Sequence, residues 1–402
     1  MKVAVIGGGV VGTLTAHFLN CRGCQVTLID AGDEPASQTS RANGGQLSYT
    51  FCDAMADPQL LSKLPGIMLG TDPAFRIRPS LRADFIRWGL SFLNECRSKR
   101  RDTNTMALLS LAGRSSELMR TFKDQFRERA AFSEGGKLVL LSQPVDQEMR
   151  RRIELKTQMG LEISILNQNE ILDIEPTLAT LRQPPAAAIF SPKDEAANAH
   201  LFTKYLAEHL GTTGVDFRYG ELVREISPRK NGECRIKTDK AEEVFNAIVL
   251  ATGDGAASLL RPHNLILPVL GMSGYSWTFP ATEGSPSTSI TALSKRIVYS
   301  RLGDVIRVAG FADVNLAPIV GKERANTLRS IASQFMPGGA DYDNPIGDWW
   351  QGVRAMTPNS QPILGRTGLP GVYTNLGHGM LGWTLGAATS EFVAQEITKN
   401  ES

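Results

Sequence analysis

Apolar residues first cluster at Val3–Ile6, a run short enough for a strand and unbroken enough for one buried on both faces. Glycines interrupt it at Gly7-Gly8-Gly9-Val10-Val11-Gly12. From Thr13 to Arg22 the period changes, with Leu14, Phe18 and Leu19 at helical spacing and Gly23 as the stop. Gln25 to Ile29 supplies a second strand, ending at Asp30. The chain therefore opens on one βαβ unit.

Beyond it, the pattern from Phe51 to about Ala131 predicts several helices, including Leu81 to Leu93 with Phe85, Trp88 and Phe92 on one face. Gly136 to Leu141 reads as a strand, Val145 to Met159 as a polar helix, and Pro176, Pro184 and Pro185 mark loops. His200 to Leu210 is helical. Three strands are expected between Val215 and Gly253, the last at Ala247 to Ala251, and Leu265 to Gly310 is β-rich. A helix at Lys322 to Phe335, a strand at Val372 to Asn375 and a helix from about Gly382 to Ile397 complete the order.

Composition narrows the class. With 402 residues, 42% hydrophobic and 21% charged, the chain has globular usage and room for two to three domains. A net charge of +2 gives no electrostatic footprint for nucleic acid. The five cysteines offer no metal-ligand spacing, and Cys21-Arg22-Gly23-Cys24 sits at a helix-to-strand turn with no second pair nearby. The start lacks the apolar stretch of a secretory signal, and no window approaches a membrane span, so a cytoplasmic setting is expected.

The glycine run now acquires a chemistry. Gly7 suits a tight turn, Gly9 leaves backbone free to approach a pyrophosphate, and Gly12 permits close helix–strand packing, with Val10 and Val11 between the last two glycines as further candidate cofactor contacts. That helix N-terminus attracts phosphate, and Asp30, with Ala31 beside it, stands where a carboxylate accepts ribose hydroxyls. Ala251-Thr252-Gly253 ends a later strand with small residues, similar to a strand end that passes close to the cofactor in flavoproteins with two dinucleotide-binding domains.

Four separated segments carry a resemblance over nearly the whole chain. They are the N-terminal fingerprint; Thr39-Ser40-Arg41-Ala42-Asn43-Gly44-Gly45-Gln46; Asp194-Glu195-Ala196 to Leu201-Phe202-Thr203; and Gly352-Val353-Arg354-Ala355-Met356-Thr357-Pro358 followed by Gly377-His378-Gly379-Met380-Leu381-Gly382-Trp383-Thr384. Together they are similar to the D-amino acid oxidase-like (glycine oxidase) superfamily of FAD oxidoreductases, most of all its bacterial D-amino acid dehydrogenases. Ala355, Asn359 and the run Ser48-Tyr49-Thr50-Phe51-Cys52-Asp53 depart from that pattern, the last near the expected substrate cavity.

The resemblance implies an α+β flavoprotein: a Rossmann-like FAD-binding domain plus a discontinuous substrate domain with a mixed or antiparallel sheet and helices. The divisions expected are 1–50, 196–265 and 340–402 for FAD and 51–195 and 266–339 for substrate. It implies oxidation of a D-amino acid, or a cyclic imino acid such as a D-proline derivative, by hydride transfer to flavin N5. Electrons then pass to a quinone or carrier. An oxygen-using glycine or sarcosine-type oxidase, and a flavin-bearing relay subunit of a heteromer, are the alternatives.

FAD contacts are expected from Ser40, Asn43, Gly44, Gly45, Gln46, Gly377, His378, Gly379, Met380, Leu381 and Gly382 as well as the fingerprint residues. Arg354 is the candidate carboxylate anchor, since a planar guanidinium grips a carboxylate with two parallel hydrogen bonds. Tyr275 and Tyr49 are candidate substrate contacts, Tyr275 reading equally as a buried structural tyrosine. His378 reads equally as a flavin or substrate contact and as a histidine holding its loop. No residue is assigned as a certain base, and no metal is expected. Arg97, Lys99, Arg100 and Arg101 form a basic cluster read either as a solvated helix end or as a contact to a membrane or redox partner, on the inner face of the cell membrane.

Overall fold

A computed structural model describes residues 1–68, 72–314 and 321–399. In chain order the elements that build the site are β1 (Lys2–Ile6), α1 (Val10–Asn20), β2 (Gln25–Ile29), α2 (Ala83–Glu95), α3 (Ser98–Phe126), β3 (Lys137–Leu141), β4 (Ala247–Leu250), β5 (Leu270–Pro280), β6 (Val305–Val314), β7 (Trp350–Met356), β8 (Val372–Leu376) and α4 (Gly382–Thr398).

Two sheets organise them. The first runs Ile363–Arg366, β8, β4, β1, β2, Asp216–Arg218, parallel except at the Ile363–Arg366 edge. Val5 lies between Leu28 and Val249 in register, and β1, β4 and β8 are buried along nearly their whole length. That is why they read as unbroken apolar runs. α1 and α4 pack on one face of this sheet, where Leu14, Leu19, Trp383 and Leu385 share a core with α3 residues Leu108, Met119 and Phe122.

The second sheet runs β7, β5, β6, Ile297–Leu302, Ser289–Ala292, β3, Ala187–Ser191, Ser164–Leu166, and is mixed: Ser289–Ala292 pairs β3 in parallel while the other neighbours on this path are antiparallel. The helix Lys322–Phe335 buries Ala325, Leu328 and Ala332 against its Tyr299 and Val308.

Two boundaries differ from those drawn on the sequence. β7 falls inside 340–402, yet it hydrogen-bonds to β5 in the second sheet. α3 falls inside 51–195, yet its apolar face packs against α4 and the first sheet's core. Helical periodicity announces an apolar face but not which partner covers it. Between Val215 and Gly253 there are five strands instead of three, because Val223–Pro228, Cys234–Thr238 and Glu242–Phe245 form a short meander before β4.

The two sheets are sewn together at one loop. The successive carbonyls of Ala42, Asn43 and Gly44 accept hydrogen bonds from Ser276 Oγ at 2.6 Å, Arg307 Nη1 at 2.9 Å and Ser300 Oγ at 2.6 Å.

Candidate functional site

The turn between β1 and α1 is glycine for steric reasons. Gly7 has φ +114°, and a Cβ there would lie 2.6 Å from the Ala251 carbonyl oxygen; one on Gly12 would overlap the carbonyl of Gly7. α1 carries no acidic residue in its first turn, so its N-terminus is free to attract an anion. The Val10 N–H is positioned by Ser40 Oγ at 3.1 Å. Asp30 is fixed through both carboxylate oxygens, by the N–H of Gly8 at 2.6 Å and of Gly32 at 2.7 Å.

From this turn a cavity of about 1630 Å³ extends to the second sheet. It is lined by Gly7, Gly9, Val10, Val11, Asp30, Ala31, Ser40, Asn43, Gly44, Gly45, Gln46, Ala251, Thr252, Gly253 and the whole run Gly377–Gly382. Gly8 and Gly12 lie off the wall, Gly12 packed on Gly7. On this lining the buried Thr252 Oγ1, Asn375 Oδ1 and Trp350 Nε1 have no hydrogen-bond partner. Unpartnered buried polar atoms are costly, and a long ligand with a phosphate, a ribose and a polar ring would satisfy them. The lining thus fits FAD.

Arg354 reaches the cavity from β7. Its guanidinium is half-buried, held by Nη1 donating to the Phe311 carbonyl at 2.9 Å, and burial pushes its pKa down to about 10. Room for it is made by Gly274 on the adjacent strand β5: a Cβ there would overlap Nη2 and Cζ and stand 2.8 Å from Nη1. No ion pair neutralises this guanidinium among the described residues.

Tyr275 also lines the cavity, but its hydroxyl donates to Asp313 Oδ2 at 2.9 Å. Asp313 in turn holds Arg324 through two hydrogen bonds, at 2.9 and 2.6 Å. Tyr49 is not at the cavity. Gln46 and Ser48 face it, so strand alternation turns Leu47 and Tyr49 into the core shared with α3. The expectation of a substrate contact from Tyr49 is corrected accordingly.

His378 is buried with Nε2 sharing a 3.0 Å hydrogen bond with Thr389 Oγ1 on α4, and desolvation lowers its pKa to about 4. It is a neutral imidazole locking the Gly377–Gly382 loop to α4, and its backbone bridges to Met356 at the end of β7. Two of the four cations of the basic cluster are neutralised. Arg101 is buried among Asp57, Asp102 and Glu148, and Arg100 pairs with Glu95 at 2.6 Å, leaving Arg97 and Lys99 exposed. Cys21 is exposed and Cys24 buried, with no disulfide between them.

Sequence reasoning missed other lining residues. Glu221, Leu222 and Val223 stand beside Asp30, pinned by the Glu221 N–H on the Asp30 carbonyl at 2.9 Å. No motif marks them. Lys137 on β3 also lines the cavity, and nothing in the run Lys-Leu-Val-Leu-Leu distinguishes it from a strand's polar end.

This fold and site define a flavoprotein oxidoreductase. The family model described as FAD dependent oxidoreductase matches residues 2–396, and the chain belongs to that family. It is 30% identical to the D-amino acid dehydrogenase of Allorhizobium ampelinum, over all of this chain and 96% of that protein. It is 31% identical to D-amino acid dehydrogenase 2 of Ralstonia nicotianae, over 99% of this chain and 97% of that one. Among solved structures, glycine oxidase from Geobacillus kaustophilus superposes with a TM-score of 0.77 at 20% identity, over 99% of this chain and 95% of the other. The enzyme is an FAD-dependent oxidoreductase.

Proposed function

We propose that this chain oxidises a D-amino acid, or a cyclic D-imino acid of the D-proline kind, to the imine, and passes the electrons to a quinone or protein carrier. The observation that carries the reading is Arg354: a half-buried guanidinium, unneutralised among the described residues, on the wall of a flavin-sized cavity and made to measure for a carboxylate. The relatives named D-amino acid dehydrogenase support the substrate class.

FAD would lie with its pyrophosphate at the N-terminus of α1, its adenosine between Asp30 and Glu221–Val223, and its ring against Gly377–Gly382. Bound there, it supplies the two-electron acceptor. The chain's own residues do the rest. Arg354 fixes the carboxylate and so the α-carbon, the seam around Asn43–Gly45 and the β5–β7 wall exclude water, and α4 directs its N-terminal dipole at the ring end. No side chain at the site is placed as a general base. His378 is held neutral by burial, which fits a substrate that arrives as the free amine.

Anaerobic mixing with D- and L-amino acids and with D-proline tests this directly. Flavin bleaching by a D-substrate, and little peroxide in air, is the expected result; bleaching confined to L-substrates would overturn it.

The acceptor's place is proposed from α2. Phe85, Trp88 and Phe92 turn inward or partly inward, while Ile86, Leu90 and Leu93 are exposed, with Leu81 just before the helix and Arg87 and Arg97 around them; Arg82 is paired with Asp84 at 2.7 Å. An apolar helical face rimmed by cations suits an anionic lipid surface holding a quinone, on the inner side of the cell membrane. No described helix is long and apolar enough to cross a membrane. Sedimentation with anionic vesicles, lost on Leu90→Glu with Leu93→Glu, is expected; equal sedimentation of the double variant would remove this face from consideration.

A further inference from the structure

The cavity continues past the ring-facing loop into a recess that the carboxylate anchor does not explain. Its walls are Phe51, Met149, Ile153, Ile163 and Ile189, and its cations are Lys137, Lys156 and Arg152. Two of these cations are already neutralised: Lys156 by Asp53 at 2.7 Å and Arg152 by Asp57 at 2.7 Å. Lys137 is different. Its side chain is buried, its ammonium donates to Ser48 Oγ at 2.6 Å and lies 5.1 Å from the centre of the Phe51 ring, and no ion pair holds it among the described residues.

An ammonium has three donors, and among the described residues this one has a single acceptor, Ser48 Oγ. A buried cation short of acceptors is costly unless a ligand completes its shell. The recess also belongs to the reacting end of the cavity. Ser48 follows Gln46 by two residues, and its N–H is bound by Thr384 Oγ1 at 3.0 Å, on the first turn of α4 directly behind Gly377–Gly382.

We propose that Lys137 is a specificity-determining residue whose ammonium takes an oxygen acceptor, carboxylate or hydroxyl, carried on the side chain of the substrate. The inference rests on the amino-acid reading above and adds to it the class of side chain. Arg354 on β7 and Lys137 on β3 line the same cavity from strands five apart in the second sheet, and Phe51 stands beside the lysine. Lys156, neutralised by Asp53, is a wall of the recess.

The groups that face Lys137 are the Ser48 hydroxyl, the Phe51 ring, Cys52, Asp53 and Lys156, and Asp194, whose Oδ2 is buried without a partner. Asp194 lies too far away to form an ion pair with Lys137 and favours its charged form. Burial outweighs that and lowers the Lys137 pKa to about 8, while Cys52 is pushed up to about 12 and stays a thiol. The ammonium is therefore present at neutral pH and lost above about 8.

The test uses the FAD-loaded enzyme and two substrate pairs that differ by an oxygen group: D-glutamate with D-norvaline, and 4-hydroxy-D-proline with D-proline. In at least one pair the oxygen-bearing member should have the higher kcat/KM, and Lys137→Met should cut that ratio at least tenfold while Lys137→Arg retains part of it. A ratio unchanged in Lys137→Met, or an equal loss on both members with a shifted flavin spectrum, would overturn the proposal; the latter would assign the lysine to the cofactor. If the methionine variant fails to fold, the wild-type enzyme still decides. The KM of the oxygen-bearing member should rise above pH 8 relative to its partner, and parallel profiles would refute the contact. Bleaching by apolar D-substrates without any such preference would sink this inference alone, whereas bleaching by no D-substrate would sink the amino-acid reading and this one with it.

Discussion

Gly274→Ala is the most incisive perturbation of the anchor, because it adds one methyl to a strand and removes nothing. Gly274 does not need a left-handed backbone, so alanine is tolerated by β5 itself. Its Cβ would overlap Nη2 and Cζ of Arg354 and stand 2.8 Å from Nη1, where non-bonded heavy atoms settle at about 3.5–4.0 Å. The guanidinium must therefore retreat by about 1 Å and loosen its bond to the Phe311 carbonyl. A displacement of about 1 Å at a positioning group costs on the order of 100-fold in rate, or about 2.7 kcal/mol of transition-state binding. The assay is steady-state kcat/KM on the preferred D-substrate beside flavin content per chain and the thermal midpoint. The first should fall about 100-fold, with flavin content close to that of the parent, since the methyl faces the guanidinium and not the α1 turn. A fully flavinated variant within threefold of the parent would show that Arg354 does not set the substrate's position.

Arg354→Lys keeps a charge but loses the fork, so KM should rise at least tenfold with flavin content retained; unaltered kinetics would dismiss the anchor. Asp30→Ala removes the carboxylate that ties Gly8 to Gly32 beside the expected ribose, and should leave a larger fraction of chain without flavin on gel filtration, whereas full retention would place the ribose elsewhere. His378 gives a pH signature. Below about 6.5 the unfolded chain binds a proton that the buried imidazole refuses until about 4. Stability should therefore fall as pH drops through that window, by up to about 3 kcal/mol from this group. Urea midpoints at pH 7 and pH 5 should draw together in His378→Gln, and an undiminished gap would mean that other groups govern the acid limb.

The parts of the fold legible in the sequence are those where one local rule suffices. β1, the glycine turn, α1 and β2 are set by a buried apolar run and by two glycines that no other residue can replace. The helix Lys322–Phe335 follows from its apolar period alone. Where the partner decides, the sequence is silent. α3 shows an apolar face but not that it covers α4, and β7 has a strand's pattern but not its allegiance to the second sheet. The same holds within the site. Arg354 was marked by its motif, but Gly274 gains its meaning only when β5 and β7 are paired. Tyr49 reads as a substrate contact and Ser48 carries no assignment until alternation turns the first into the core and the second onto Lys137.

The seam at Ala42, Asn43 and Gly44 has a kinetic consequence. Opening the cavity by swinging one sheet from the other would break three hydrogen bonds at once, one of them from Arg307, a buried guanidinium with no acidic partner among the described residues, whose pKa burial lowers to about 10. At about 0.5–1.5 kcal/mol net for each bond, such an opened form is held to well under a tenth of the molecules. Entry through a local gap in the cavity wall is thereby favoured over a swing of the sheets, and the same stitches slow flavin release.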